Sequence, residues 1–97
     1  MAELLTDEQI ADFCDAHSRW VRDGDSLVAQ VKAATFLEGI DQVAAVAQVA
    51  EEMDHHPDID IRWRTLTFRL STHSHGGITD LDTALAQRID AIAGELP

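Results

Sequence analysis

The sequence predicts an α+β domain: an antiparallel four-stranded sheet with three helices packed on one face, in the order α-β-β-α-β-β-α. Three observations carry this expectation. Apolar stripes of helical period recur three times, each behind a threonine placed to cap it. Between the stripes lie two pairs of short runs that alternate apolar and polar residues. Hairpins separated by helices close into one antiparallel sheet and leave the helices a single face to cover.

The first helix is expected over about 7–18. Thr6 is followed three residues on by Gln9, and Leu5 and Ile10 stand at the two staple positions around that cap. Ile10, Phe13, Cys14 and His17 give its apolar face, and His17 and Trp20 read as packing residues. Trp20-Val21-Arg22 and Leu27 to Ala33 flank Asp23-Gly24-Asp25, a hairpin signal. The second helix starts after Thr35, with Glu38 three residues later, and runs to about Met53. Phe36, Ile40, Val43, Ala47 and Ala50 form its expected stripe. His56-Pro57 stops it, because a residue before proline is pushed from helical angles. Ile59, Ile61 and Trp63, then Leu66, Phe68 and Leu70, alternate with polar residues, so each strand is expected to bury one face. The break between these strands lies near Arg64. The last helix starts at Thr79, shows Leu81, Leu85, Ile89 and Ile92 on one side, and ends at Gly94 and Pro97.

One domain over 1–97 is expected from the length. Seven basic against eighteen acidic residues give a formal net charge of −11. Such a surface repels phosphate backbones and anionic membranes, so no nucleic acid and no membrane partner is expected. The N-terminus lacks a signal-peptide pattern, and no apolar run is long enough to span a bilayer. The single cysteine, Cys14, makes no internal disulfide and fits a cytoplasmic chain.

Four of the five histidines lie between 55 and 75, beside the ends of a helix and a strand. Histidine is the side chain suited to proton transfer near neutral pH. Glu51, Glu52 and Asp54 crowd the first pair, His55 and His56. Read alone, that pair before Pro57 is as well explained by a polar loop, and Asp82 by a cap on Thr79. His55, His56, His73 and His75 with Asp82 can also be read as metal ligands, but neither Cys-x-x-Cys nor His-Glu-x-x-His is present, and no metal is expected. Gly-x-Ser-x-Gly and glycine-rich phosphate loops are absent too.

Taken together the pattern is more specific. Glu51-x-x-x-His55-His56-Pro57 is followed by Trp63, His73 and Asp82 at set distances, and Leu70-Ser71-Thr72-His73-Ser74-His75-Gly76-Gly77-Ile78-Thr79-Asp80-Leu81-Asp82 forms one block. With Leu5-Thr6-Asp7-Glu8-Gln9-Ile10, Trp20 and Phe36, this resembles the pterin-4a-carbinolamine dehydratases over nearly the whole chain. The resemblance implies a hydro-lyase that turns 4a-hydroxytetrahydropterin into quinonoid dihydropterin and water, without a cofactor. It implies a functional link to a pterin-dependent aromatic amino-acid hydroxylase, and a homodimer or homotetramer. By position it implies His55 and His73 as an acid–base pair, His56 as a secondary or orienting group, and Asp82 as the carboxylate that holds a histidine. It implies Glu51, Asp54, Pro57, Thr72, Ser74 and His75 as residues around the substrate. The second strand departs from the pattern, with Val31 and Ala33 where relatives carry aromatic residues. The competing expectation is a non-catalytic interaction, assembly or coactivator module on the same fold.

Overall fold

The computed structural model describes residues 3–94. Along the chain run α1 (Asp7–Ala16), β1 (Trp20–Asp23), β2 (Ser26–Lys32), α2 (Phe36–Met53), β3 (Asp58–Arg62), β4 (Thr65–Leu70), a 3₁₀ turn (His73–His75) and α3 (Asp80–Ala93). The strands make one antiparallel sheet in the order β1-β2-β4-β3, with the helices on one face. Pro97, expected as a stop signal, lies outside the described residues, as do Met1 and Ala2.

The core is the inward face of the two central strands. Leu27, Ala29 and Val31 of β2 stand opposite Leu70, Phe68 and Leu66 of β4, and all six are buried. The helices close over them with Ile10, Val46, Val49, Leu85, Ala86 and Ile89. Each large apolar side chain so enclosed contributes about 1.5–3 kcal/mol. Trp20 is buried as well, and its indole N–H donates to Asp90 Oδ1 at 3.0 Å. Arg19 reaches the same oxygen at 2.8 Å, which ties the start of β1 to the end of α3.

The caps form as the sequence indicates. Gln9 N–H donates to Thr6 Oγ1 and Thr6 N–H to Gln9 Oε1, at 3.1 and 2.9 Å. Glu38 N–H donates to Thr35 Oγ1 at 3.0 Å.

Three expectations are corrected. α1 stops at Ala16, because His17 turns back to cap it, its N–H on the Phe13 carbonyl and its ring stacked on Phe13. The buried side of α2 is Gly39, Val46, Val49 and Ala50, whereas Phe36 and Ala47 are exposed. The helix rolls onto Gly39, where an added Cβ would stand 3.4 Å from Ala33 Cβ and 3.5 Å from Leu66 Cδ2. A glycine gives no apolar signal, so a count of hydrophobic positions misplaces the face. β3, finally, is mostly exposed rather than buried on one side. It is the outer strand next to β4, at the rim of the helical layer.

β3 and β4 are joined by the two-residue turn Trp63-Arg64. Trp63 has φ 52, a left-handed conformation that costs a bulky L-residue roughly 1–2 kcal/mol. Arg64 braces it: its guanidinium lies 4.3 Å from the Trp63 ring centroid and donates to the Ala34 carbonyl at 3.3 Å.

Candidate active site

The site begins at the end of α2. Asp54 adopts φ 51, ψ 44, and its N–H donates to Ala50 and Glu51 carbonyls. His55 N–H reaches back to the Ala50 carbonyl at 3.0 Å. This six-to-one closure satisfies the orphan carbonyls of the last turn. Aspartate visits the left-handed region more readily than most non-glycine residues. The reversal sends the two histidines to opposite environments. His55 turns inward and is only 8% exposed. His56 stays in solvent, where its Nε2 pairs with Glu51 Oε2 at 2.8 Å.

The wall facing His55 is the start of α3. Thr72 and Gly77 form an isolated antiparallel bridge that closes a short loop, with the 3₁₀ turn at its tip and Gly76 at φ 71. The N-terminal segment bridges the next stretch, Leu4 to Thr79, with Leu5 N–H on the Ile78 carbonyl at 2.9 Å. These two bridges hold Thr72 and Thr79 face to face, their hydroxyl oxygens 2.7 Å apart.

Asp82 sits between them and is 0% exposed. Its Oδ2 accepts from Thr79 N–H at 2.9 Å, which completes a capping box on α3, and from the Thr72 hydroxyl at 2.8 Å. Its Oδ1 meets His55 Nε2 at 2.6 Å. Asp82 thus makes both contacts, the helix cap on Oδ2 and the histidine on Oδ1. A buried carboxylate is tolerable only when so satisfied.

Of the expected site residues, the structure brings together His55, Asp82 and Thr72. His73, Ser74 and His75 lie exposed on the 3₁₀ turn directly after Thr72, and His75 Nδ1 bonds to Ser74 Oγ at 2.9 Å. Among the described residues, no hydrogen bond joins His73 to His55 or Asp82. Pro57 is half-buried; Asp54 is exposed and acts on the backbone as the cap. Thr79 was legible only as a helix cap, yet its hydroxyl belongs to the same network. The signal was present in the Thr-x-x-Asp cap and the second threonine seven residues upstream, but only the backbone bridges show that they meet. Among the described residues, no three His, Cys, Asp or Glu side chains converge as a metal site.

The arrangement is an imidazole held by a buried carboxylate, next to a loop that presents a second imidazole. A family model described as pterin 4 alpha carbinolamine dehydratase matches residues 3–92. The chain belongs to this family. A member from Mycobacteroides abscessus, assigned by name to the pterin-4-alpha-carbinolamine dehydratases, is 58% identical over 91 residues, covering 94% of this chain and 97% of its own. A second, from Mycolicibacterium vanbaalenii, is 54% identical and covers 94% and 98%. The crystal structure of a transcriptional coactivator/pterin dehydratase from Brucella melitensis superposes with a TM-score of 0.91 at 29% identity, over 95% of this chain and 100% of that one. A pterin dehydratase-like protein identified as a RuBisCO assembly factor in the α-carboxysome shares the fold, with a TM-score of 0.65 at 23% identity, over 80% and 90%. As a member of the family, the chain is an enzyme of the dehydratase class.

Proposed function

We propose that the protein dehydrates 4a-hydroxytetrahydropterin to quinonoid dihydropterin and water, with His55 and His73 as the acid–base pair. The observation that carries this reading is the buried Asp82–His55 pair beside the loop of His73, in a chain of this family. The C4a hydroxyl leaves as water and needs a proton; N5 loses its proton as the double bond forms. One imidazole donates and one accepts, and each transfer is worth about 10²–10⁴-fold in rate. His56, with Glu51, stands on the solvent side as an orienting or secondary group. Pro57 and residues Ser74 and His75 border the same two segments as substrate contacts.

The pterin is thus the expected small-molecule partner, supplied by a pterin-dependent hydroxylase. Self-association as a dimer or tetramer is part of the same proposal. Its support is the first turn of α2, where Phe36 and Leu37 are 52% and 69% exposed. The same exposed side chains favour the competing reading, a protein-interaction role without catalysis.

The test is direct. The purified protein is expected to accelerate carbinolamine dehydration, followed by the absorbance of the quinonoid product. His55→Ala and His73→Ala should each lose about 10²–10⁴-fold. An intact protein that gives no acceleration, or a His55→Ala variant that binds a protein partner and dehydrates as before, overturns the proposal.

A further inference from the structure

The hydrogen bonds around Asp82 have a fixed direction. An ionised carboxylate only accepts. The Thr72 hydroxyl therefore spends its proton on Asp82 Oδ2 at 2.8 Å. It has none left for Thr79, so the 2.7 Å contact between the two hydroxyls is donated by Thr79. Thr79 Oγ1 in turn accepts the Leu81 N–H at 3.2 Å. A one-way chain thus runs from the first turn of α3 through Thr79 and Thr72 to Asp82. Both threonines are buried, at 0% and 4% exposure, so water does not compete for these bonds.

The other carboxylate oxygen extends the same logic. Oδ1 accepts, so the proton of the 2.6 Å contact belongs to His55 Nε2. His55 Nδ1 has no hydrogen-bond partner among the described residues, and it is not among the fully enclosed unpaired polar atoms. It is the nitrogen left open to a substrate.

We propose that Thr79 and Thr72 are positioning residues for the dehydration: their hydroxyl chain locks the Asp82 carboxylate, which holds His55 as the Nε2–H tautomer with Nδ1 as its working atom. Thr72, expected from the sequence to contact substrate, then acts from behind, because every polar group it carries is spent inside the protein. Its N–H bonds to Gly77, its carbonyl accepts from His75 and Gly77, and its hydroxyl is in the chain. The proposal rests on the dehydratase reading for its kinetic part alone.

Two measurements test it separately. Nitrogen-15 NMR of the imidazoles needs neither substrate nor variant: neutral His55 should carry its proton on Nε2, and the Thr72 and Thr79 hydroxyl protons should exchange slowly enough to be seen. A His55 protonated on Nδ1 overturns the proposal even if the enzyme is active. In the kinetic arm, Thr72→Ser keeps the hydroxyl and should keep kcat. Thr72→Val keeps the shape and should lower kcat about 10–100-fold, the loss expected when an imidazole's orienting partner is released, with KM little changed. It should also mix the His55 tautomers. Equal losses in Thr72→Ser and Thr72→Val, or a Thr72→Val protein with full kcat, would remove the positioning role. An inactive wild-type protein with the Nε2–H signature intact would sink the dehydratase reading and leave the relay standing.

Discussion

At the residue scale, Asp82 and His73 belong to one proposed site but stand in opposite environments. Asp82 is enclosed and accepts three hydrogen bonds; His73 is exposed on the tip of a loop. Their substitutions should separate activity from stability. Asp82→Asn swaps one acceptor for a donor facing His55 or the threonines, and should cost about 1–3 kcal/mol. His73→Ala should stay within about 0.5 kcal/mol of the parent. Urea denaturation of the two variants checks this, and equal midpoints would contradict the burial argument. Cys14 offers a second test. Burial, and then the neighbouring Asp15, push its thiol up, against a smaller opposing pull from Arg22. A raised value leaves less thiolate at mildly alkaline pH. Alkylation by iodoacetamide at pH 8 should therefore be slower than for free cysteine, with the gap closing in the unfolded chain.

At the element scale, what was legible depended on how far apart the deciding residues are. The Thr6 and Thr79 caps are written within four residues and formed as expected. The β2 and β4 faces were legible too, because a central strand covered by helices on one side alternates in burial, although in β2 the apolar Val28 interrupts the pattern in sequence. The burial of β3 was not, since nothing inside β3 says that it will be the outer strand. Nor was the roll of α2, decided by the contact of Gly39 with Ala33 and Leu66. The site followed the same rule. His55 and Asp82 are 27 residues apart in sequence, and only family resemblance, not spacing, joined them beforehand. The end of α2 provides this scale's prediction. Asp54 holds a left-handed position with an exposed side chain. Asp54→Gly should match or raise stability by up to about 1 kcal/mol, whereas Asp54→Val should lower it by roughly 1–2 kcal/mol. Because the same turn aims His55 inward, the valine variant should also lose activity; thermal melts and the dehydration assay read the two effects.

At the scale of the whole molecule, two properties pull in opposite directions. A net charge of −11 favours separate, soluble chains, while Phe36 and Leu37 on α2 and the 70%-exposed Trp63 leave apolar surface uncovered. None of the helices among the described residues is long and apolar enough to cross a membrane. Self-association is the outcome expected to cover the α2 face. Sedimentation should show a species larger than the monomer, and Leu37→Glu or Phe36→Glu should shift it toward the monomer. Added salt should favour assembly by screening like charges, within a Debye length of about 8–10 Å. A wild-type protein that sediments as a monomer at every salt concentration would leave that face to another partner.

The double use of Asp82 has a consequence for how such a molecule can age. The carboxylate that contacts the His55 imidazole also caps α3, so discarding it endangers the helix as well as the proposed chemistry. Among the described residues the exposed His73 side chain makes no hydrogen bond, only its carbonyl accepting the Gly76 N–H, so its loss is expected to spare the fold. On the proposed assignment of the site, decay of catalysis on this scaffold is expected to be directional. Under that assignment, a descendant that loses catalysis is expected to shed the exposed imidazole before Asp82, which the helix cap retains.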